Sequence, residues 1–348
     1  MGEGPERGSQ MMLGIHSKGN SFSQRWIVYC EQNALAYKIV DCYQYDIISQ
    51  LNDCDALMWH FYHGSPKDIL FAKQLLYAVA ASGKKVFPDF HTMWHFDDKV
   101  GQKYLLEAIG APMPQAWVFY DKQQAVQWAG ETTYPVVFKL RGGAGSTNVL
   151  LVDNQKQAAR LIRKSFGGGF SQYPAWGNLK ERIRKYRLKK TSLFDVIKGV
   201  ARLAYPPDHA RVAGRERGYV YFQEFIPGNE HDIRVIVIED KAFALKRMVR
   251  EGDFRASGSG DILYEKENFD GATVDLAFTL AKKLNSQCVA FDFVYQNGVP
   301  LVVEISYGFT PDAYDACAGY WDRGMNWHEG PFNPYGWMIE NLIQSIEK

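Results

Sequence analysis

Short apolar runs alternate with stretches of helical spacing in the first hundred residues. The apolar runs predict strands at residues 12–16, 37–41, 56–59 and 85–87. Apolar side chains that recur every three or four positions predict helices at residues 21–33 and 68–81. Strands that alternate with helices indicate a parallel sheet with a Rossmann-like layout. No G-x-G-x-x-G follows the first strand, so a dinucleotide site is not predicted.

The pattern changes after a predicted helix at residues 98–109, which Gly110 ends. Further strands are predicted at residues 116–120, 135–140, 149–152, 220–226, 232–238 and 242–249. Helices are predicted at residues 122–129, 180–190, 192–204, 273–284 and 337–347. Residues 288–295 and 301–306 read as a hairpin around Asn297-Gly298. A glycine-rich turn joins two strands without a helix between them, which favours antiparallel pairing.

These elements predict an α/β (α+β) protein with three folded parts that follow a disordered lead-in. Its predicted divisions are a disordered lead-in at residues 1–11, an N-terminal α/β domain at 12–115, a small lobe at 116–219 and a large lobe at 220–348. The small lobe carries an irregular basic insert at residues 166–217.

Composition narrows the class of protein. The 348 residues are 46% hydrophobic and 23% charged with a net charge of +1, which is typical of globular proteins and argues against a polyanion binder. The cysteines are scattered without a C-x-x-C pair, which favours reduced thiols and a cytoplasmic location. No apolar run approaches the ~18 residues that span a bilayer. Peripheral association with the inner face of a membrane is the alternative location.

Charge is unevenly distributed along the chain. Residues 178–217 hold 12 Lys/Arg and 4 Asp/Glu, a local net charge of 12 − 4 = +8, so the rest of the chain carries 1 − 8 = −7. An apolar stripe lies beside the basic residues, formed by Leu193, Phe194, Val196, Ile197, Val200 and Leu203. This segment fits a solvated helix, a contact with an anionic membrane or a cover over an acidic substrate. It matches no motif for sequence-specific binding of nucleic acid.

Two carboxylates in the predicted hairpin are candidate metal ligands. Asp292 and Glu304 interrupt otherwise apolar strands, and Ser306 shares a strand face with Glu304. Such hard oxygen ligands suit Mg²⁺, which binds one or two carboxylates together with phosphate oxygens. A two-residue loop would pair Asp292 with Val303, so the hypothesis requires a three-residue loop at residues 297–299 that pairs Asp292 with Glu304. Exposed carboxylates at a sheet edge are the alternative.

The glycine turn is a candidate anion site. Gly142, Gly143 and Gly145 allow backbone amides to approach an anion, Ser146 adds a donor, and Lys139 ends the preceding strand. The alternative is an ordinary hairpin tip.

Several other polar and aromatic residues are candidate site residues that also fit a purely structural role. Asp232 and Arg234 share one strand face, which also fits a solvated sheet with weak ion pairs. The pairs His60/His63 and His91/His95 have spacing that suits zinc, and the alternatives are substrate contact by His60 or His63 and plain packing or surface placement. Residues 307–327 combine aromatic side chains with carboxylates, which suits either an acceptor rim or packing under the last helix.

In combination and order, the motifs resemble the ATP-grasp superfamily, most closely the branch with glutathione synthetase and the ribosomal-protein glutamate ligases. The resemblance runs from about residue 98 to residue 306. Its motifs are Asp98-Lys99, Gly110-x-Pro112-x-Pro114, residues 135–139 with the glycine turn, residues 223–226, Asp232-Ile233-Arg234, Lys246-Arg247, Phe254-Arg255, Asp292 and Glu304-Ile305-Ser306. It implies that an N-terminal Rossmann-like domain precedes two antiparallel-sheet lobes that clasp ATP.

The resemblance implies a role for each motif. The phosphates of ATP would be contacted by Lys99, Lys139 and the turn of Gly142, Gly143, Gly145 and Ser146. The adenine would lie against Gln223, Glu224, Phe225 and Ile226, with Glu224 or Asp232 on the ribose. The γ-phosphate and the acceptor carboxylate would face Arg234, Arg247 and Arg255. One or two Mg²⁺ ions, or Mn²⁺, would be held by Asp292, Glu304 and Ser306. Ser306 and Ser257 stand where the family usually has asparagine, which makes a second metal ion less secure.

The implied activity is that of an ATP-dependent carboxylate–amine ligase that works through an acyl phosphate. The acceptor could be an amino acid, a peptide or an acidic sugar, and a homo-oligomer is left open. The alternatives are an ATP-grasp-type kinase that acts on an anionic small molecule and a non-catalytic nucleotide-binding protein.

Overall fold

The computed structural model describes residues 11–19, 21–142, 148–171, 173, 175–187, 191–249, 253–256 and 261–348. Residues 1–10 of the predicted lead-in lie outside these ranges, as do Gly143, Gly145 and Ser146 of the glycine turn and Ser257.

Parallel strands that alternate with helices form the N-terminal part. They are β1 (Leu13–His16), α1 (Phe22–Gln32), β2 (Tyr37–Val40), α2 (Ile47–Gln50), β3 (Ala56–Met58), α3 (Pro66–Ala81), β4 (Lys85–Phe87), α4 (Phe90–Met93) and α5 (Lys99–Ala108). The sheet order is β2-β1-β3-β4. All of β1 is buried, as expected for a central parallel strand covered on both faces. Asp98 is the N-cap of α5, because its carboxylate accepts the Gly101 N–H at 2.9 Å and caps the first turn.

An antiparallel sheet follows in the small lobe. Its first elements are β5 (Ala116–Phe119), α6 (Lys122–Glu131), β6 (Val136–Lys139), β7 (Val149–Val152) and α7 (Gln155–Ser165). Helix α7 was not predicted, although its signal is present in the sequence. Asn154 caps the helix on Gln157, and Ala158 and Ile162 lie four residues apart on its buried face.

The basic insert folds into short strands and helices. They are β8 (Phe170–Ser171), α8 (Ala175–Arg187), α9 (Leu193–Ala204), α10 (Asp208–Ala213) and β9 (Arg215–Glu216). Helix α8 begins five residues before the predicted start at residue 180. Helices α8 and α9 pack together, and α10 packs against α3 of the N-terminal part.

The next strand, β10 (Val220–Glu224), returns to the small lobe. It pairs antiparallel with β5 and β6, which gives the sheet order β5-β10-β6-β7. The predicted boundary at residue 220 therefore assigned this strand to the wrong lobe. The chain leaves the small-lobe sheet for the basic insert and comes back to its centre, and the linear pattern carries no sign of that return.

The large lobe contains a longer antiparallel sheet. Its elements are β11 (His231–Ile238), β12 (Lys241–Met248), β13 (Ile262–Leu263), α11 (Gly271–Leu284), β14 (Val289–Gln296), β15 (Val299–Ser306), β16 (Gly319–Asp322), β17 (Trp327–Glu329) and α12 (Pro334–Glu347). Short 3₁₀ helices lie at Lys266–Asn268 and Pro311–Ala313. The sheet order is β15-β14-β11-β12-β16-β17, and β13 pairs with β12. The hairpin of β16 and β17 was not predicted; Tyr320 packs on Trp337 there, with ring centroids 4.9 Å apart.

One hydrophobic core joins the N-terminal sheet to the large lobe. It contains Ile15 of β1, Phe87 of β4, Phe243 of β12 and Ile339 of α12. Among the described residues, no helix combines the length and apolar character needed to cross a membrane.

Tyr307 connects the N-terminal part to the end of β15. Its side chain is fully buried, and its hydroxyl donates to the Phe61 carbonyl at 2.7 Å. The ring lies 4.7 Å from Phe96 and 5.3 Å from Phe61, measured between centroids. This contact sets the distance between the loops after the parallel strands and the end of β15.

We expect Tyr307→Phe to lower the free energy of unfolding by about 1–3 kcal/mol, because the buried Phe61 carbonyl loses its partner. Tyr307→Ala should cost about 3–5 kcal/mol, because it also leaves a cavity. Urea unfolding followed by fluorescence measures both. Tyr77→Phe is the control, since Tyr77 is 58% exposed. Equal stability of the Tyr307→Phe and Tyr77→Phe proteins would contradict the assignment.

Candidate active site

A cavity of about 640 Å³ lies between the two antiparallel sheets, and loops of the N-terminal part close one end. The predicted site residues that line it are Lys139, Gln223, Glu224, Phe225, Ile226, Asp232, Arg234, Arg247, Arg255, Asp292, Glu304 and Ser306. Lys99 and Gly142 do not line it.

Asp292 and Glu304 lie directly opposite each other on β14 and β15. The predicted pairing is therefore correct, but the predicted three-residue loop is wrong. Gln296 pairs with Val299, so the loop has two residues, Asn297 and Gly298, and both have positive φ as such tight turns require. A β-bulge between Asp292 and Phe293 restores the register, because Val303 on the other strand stays unpaired.

Arginines on the neighbouring strands neutralise the buried carboxylates. Arg247 binds Asp232 with both arms of its guanidinium, at 2.7 and 2.6 Å, and lies 3.0 Å from Asp292. Arg234 Nε is 2.8 Å from Asp292 Oδ1. Burial alone would raise the pKa of Asp292, but the two arginines outweigh it and hold the pKa below its usual range. Asp292 is thus an ionised carboxylate.

The carboxylate pair fits a divalent cation. Asp292 Oδ1 lies 2.8 Å from Arg234 Nε and 3.0 Å from Arg247 Nη2, so a bound cation would share this oxygen with the two guanidinium groups or displace them. Within the described ranges, no three His, Cys, Asp or Glu residues form a metal-binding group. Asp292 and Glu304 supply two carboxylates, and Mg²⁺ typically binds one or two carboxylates together with phosphate and water.

Ser306 is engaged by its own loop. Its hydroxyl donates to the Gly308 carbonyl at 2.9 Å and accepts the Gly308 N–H at 3.2 Å. A role as a metal ligand would require the side chain to leave these bonds.

The two lysines occupy different places. Lys139 lines the cavity and donates to the carbonyl of the bulged Val303 at 3.3 Å. Burial lowers the pKa of Lys139 to about 8, with nearby Lys99 adding to the effect. Lys99 forms an ion pair with Glu304 at 2.9 Å. Burial alone would lower the pKa of Lys99, but Glu304 more than offsets it and the pKa is raised. Lys99 thus contacts the candidate metal ligand Glu304 and does not line the cavity, and its contact with phosphate stays a prediction.

The beginning of the glycine turn is held by a residue of the basic insert. Glu216 accepts the backbone N–H groups of Arg141 at 2.9 Å and Gly142 at 3.0 Å. Tyr219 donates to Glu216 as well, and its hydroxyl oxygen accepts the Arg141 N–H at 2.7 Å. The Gly142 amide is thus used by Glu216 rather than offered to an anion.

The segment predicted to contact adenine is fixed at both ends. The Glu224 N–H donates to the Gln115 carbonyl at 2.7 Å, and the Glu224 carboxylate accepts the Gln115 N–H at 3.2 Å. The Asn229 side chain bonds Ile226 O at 3.3 Å and both backbone groups of Tyr295, at 2.7 and 3.0 Å. Since Gln115 engages Glu224 and Arg247 engages Asp232, the contacts favour neither for the ribose.

Arg255 is held by Asp253. Two of its nitrogens contact the Asp253 carboxylate, at 2.9 and 2.8 Å, while the side chain still lines the cavity. Arg234 and Arg247 therefore lie at the carboxylate pair, and Arg255 belongs to a separate ion pair.

Loops at the carboxyl ends of the parallel strands close the far end of the cavity, which is the end on the side of the N-terminal part. His60 and His63 follow β3, and Tyr314 and Phe309 face them from beyond β15. His60 stacks on Phe22 at 3.7 Å and accepts the Phe22 N–H through Nδ1 at 3.1 Å. Burial lowers the pKa of His60 to about 3, so the ring is neutral and its proton lies on Nε2.

The aromatic side chains of residues 307–327 are divided between lining the cavity and packing on each other. Phe309 and Tyr314 line the cavity, whereas Trp321 and Trp327 pack on each other at 4.6 Å. The carboxylates of the predicted rim lie elsewhere, because Asp312 and Asp315 contact Arg25 and Asp322 contacts His328.

Sequence reasoning missed the residues that position the site rather than line it. They are Glu216, Tyr219 and Asn229. Their partners are distant along the chain, so no local motif reveals them.

Comparisons with known proteins agree with this architecture. A model of the RimK-like ATP-grasp domain matches residues 208–310. No curated protein matches the chain significantly.

Solved structures resemble the whole chain. A RimK domain ATP-grasp protein from Sphaerobacter thermophilus DSM 20745 has a TM-score of 0.54 at 15% identity, over 96% of this chain and 99% of that one. D-alanine–D-alanine ligase from Bacillus anthracis complexed with ATP has a TM-score of 0.57 at 12% identity, over 97% and 99%. ATP-grasp ligase PsnB complexed with minimal precursor, Mg and ADP has a TM-score of 0.55 at 13% identity, over 97% and 98%.

The chain therefore has the ATP-grasp fold. Within that fold, residues 208–310 match the model of the RimK-like ATP-grasp domain. The superfamily resemblance that the ordered motifs indicated is confirmed.

We expect Glu216→Gln to weaken ADP·Mg²⁺ binding by about tenfold, because a neutral amide oxygen cannot replace two carboxylate oxygens that hold the base of the turn. Isothermal titration calorimetry measures the dissociation constant. Glu347→Gln, an exposed change at the C-terminal helix, is the control. An unchanged dissociation constant for Glu216→Gln would show that the Glu216 carboxylate does not position the glycine turn.

Proposed function

We propose that the protein is an ATP-dependent ligase that joins a carboxylate to an amine, with release of ADP and phosphate. The observation that carries the proposal is the Asp292–Glu304 pair, which faces a cavity together with Lys139, Arg234 and Arg247. The RimK-like match and the ligases among the structural neighbours support the same class.

The cations of the cavity suit phosphoryl transfer. Lys139 and the arginines place positive charge where a triphosphate and an acyl phosphate would develop negative charge. Arg234 and Arg247 already face Asp292, so a phosphate would draw them from existing ion pairs. A substrate carboxylate would attack the γ-phosphate, and an amine would then displace phosphate from the acyl carbon. This scheme needs no covalent nucleophile of the protein.

Asp292 and Glu304 would hold Mg²⁺, with Ser306 as a further oxygen if it leaves Gly308. When bound, the ion neutralises charge on the β- and γ-phosphates. Lys99 would orient Glu304 through the ion pair described above.

The far end of the cavity would receive the acceptor. Ligands of parallel α/β sheets bind at the carboxyl ends of the strands, where His60 and His63 lie. Nε2–H of the neutral His60 ring is a fixed donor beside Gly308, where an added Cβ would lie 3.2 Å from Nε2. Aromatic walls from Phe309 and Tyr314 suit an amino acid, a peptide or a sugar acid.

The proposal is tested by measuring phosphate release with panels of amino acids, peptides and uronic acids. A ligase gives a product whose mass is the sum of two substrates minus water. A product heavier than one substrate by a single phosphate would identify a kinase instead. The absence of any acceptor-dependent ATP turnover across the panels would contradict both enzyme classes.

We expect Asp292→Asn and Glu304→Gln each to lower ATP turnover by at least ~10²-fold, because each removes an anionic ligand from the same site. Steady-state phosphate release gives kcat, and thermal unfolding checks that the fold survives. Asp275→Asn on α11 is the matched control at an exposed carboxylate. Near-normal kcat in both site variants would remove the metal assignment.

We expect nucleotide affinity to fall as the pH rises above about 8, because Lys139 loses its proton there. Below its pKa the lysine is charged and attracts the phosphates; above it, affinity should fall toward tenfold per pH unit, roughly. The phosphates of the nucleotide are already ionised in this range. Calorimetric titration with ADP·Mg²⁺ between pH 7 and 9.5 measures the effect. Lys139→Arg should flatten the profile, because arginine stays charged. A flat wild-type profile would contradict the assignment.

A further inference from the structure

Helix α9 presents an apolar face to solvent. Its exposed fractions are 55% for Leu193, 74% for Phe194, 57% for Ile197 and 53% for Val200, and Tyr205 directly after the helix is 78% exposed. A surface helix of a globular protein normally turns its apolar stripe toward the core. Here the stripe points outward.

The opposite side of α9 already has its partner. Gly199 is buried against α8, where an added Cβ would lie 2.8 Å from Arg182 Cδ and 3.1 Å from Leu179 Cδ1. Arg182 also donates to the Asp195 carbonyl at 3.0 Å and forms an ion pair with the Asp195 carboxylate. The hairpin of α8 and α9 is therefore oriented by its own contacts, and the apolar face is left over from that packing.

Basic residues are exposed on both helices of the hairpin. Lys198 lies beside the apolar face on α9, and Lys180 and Arg187 are exposed on α8. Residues 178–217 carry a net charge of +8. The phosphate-facing cations of the cavity are separate from this group, because Lys139, Arg234 and Arg247 come from the sheets.

The chemistry of the face favours one occupant. A second copy of the chain would bring two strongly positive segments together, which like-charge repulsion opposes. An anionic bilayer offers an apolar layer for Phe194 and Ile197 and negative headgroups for the flanking cations. We propose that the α8–α9 hairpin docks the protein on an anionic lipid surface, with the apolar face of α9 in the headgroup region.

The hairpin is firmly connected to the rest of the molecule. On its C-terminal side, α10 packs against α3, and Glu216 of β9 holds Arg141 and Gly142. Docking would therefore place the whole protein at the surface rather than a loose segment. The proposal does not depend on which reaction the cavity performs.

Co-sedimentation with lipid vesicles tests the proposal on the full-length chain. The probes are vesicles of phosphatidylcholine alone and of phosphatidylcholine with phosphatidylglycerol. We expect binding to the anionic vesicles that weakens as salt rises, because exposed charges are screened beyond ~8 Å at physiological ionic strength.

Two pairs of substitutions separate the apolar and the electrostatic contributions. Phe194→Glu with Ile197→Glu should lower the partition coefficient at least about tenfold, because two exposed apolar side chains no longer insert. Lys198→Gln with Arg187→Gln should lower it roughly 10- to 30-fold on anionic vesicles only. Val126→Glu with Ile48→Glu is the matched control, since both residues are exposed apolar positions outside the hairpin.

Three results would overturn the proposal. One is equal sedimentation of the wild-type protein with and without anionic vesicles. Another is that the protein with Phe194→Glu and Ile197→Glu binds the vesicles as strongly as the control protein with Val126→Glu and Ile48→Glu. The third is a concentration-dependent dimer, measured by light scattering, that the Phe194/Ile197 pair abolishes, because the face would then be an interface between copies of this chain.

Discussion

Pairing of buried charges between neighbouring strands is the constraint on which the large lobe depends. Arg234 stands opposite Asp292, and Arg247 stands opposite Asp232. Removing one partner would leave the other buried and uncompensated, at a cost of several kcal/mol. A slip of one residue would turn these side chains to the apolar face of the sheet, so the ion pairs also specify the register. Under the proposed function, a bound phosphate would compete for the same arginines and would exchange one set of ion pairs for another.

The sequence predicted that Asp292 and Glu304 meet, but not the reason. Asn297-Gly298 is the signature of a two-residue turn, and a regular ladder from that turn would place Asp292 opposite Val303. The chain instead inserts Val303 as a bulge. A bulge within a run of apolar and β-branched residues has no local signature, because every residue there fits a strand equally well. The bulge also leaves the Val303 carbonyl to Lys139, so the irregularity and the buried lysine are parts of one arrangement.

Long-range partners account for most of what the sequence did not predict. The apolar runs identified most strands of the sheets, because alternation and length are local properties. The return of β10 to the middle of the small-lobe sheet is not local, and neither is the clamp of Glu216 on Gly142, which joins residues 74 positions apart. Glu216 lies among basic residues in the sequence, so its single negative charge changes the net charge of that segment very little. Only the fold shows that its carboxylate serves the backbone of a distant turn.

The charge and the apolar stripe of the basic insert are visible in the sequence, but the orientation of the stripe is visible only in the fold. Charge segregation and the apolar stripe of residues 193–203 were visible in the sequence, and they fitted a solvated helix as the default, with a membrane contact or a substrate cover as alternatives. The structure orients the stripe. Gly199 permits close packing of α9 on α8, so the bulky residues Phe194 and Ile197 face outward, while Glu216 and α10 face the protein. The insert thus has an inner side that positions the glycine turn and an outer side whose exposed apolar surface is unfavourable in water. A surface with that cost is retained most readily where it meets an apolar layer, and the flanking cations define which layers it can meet.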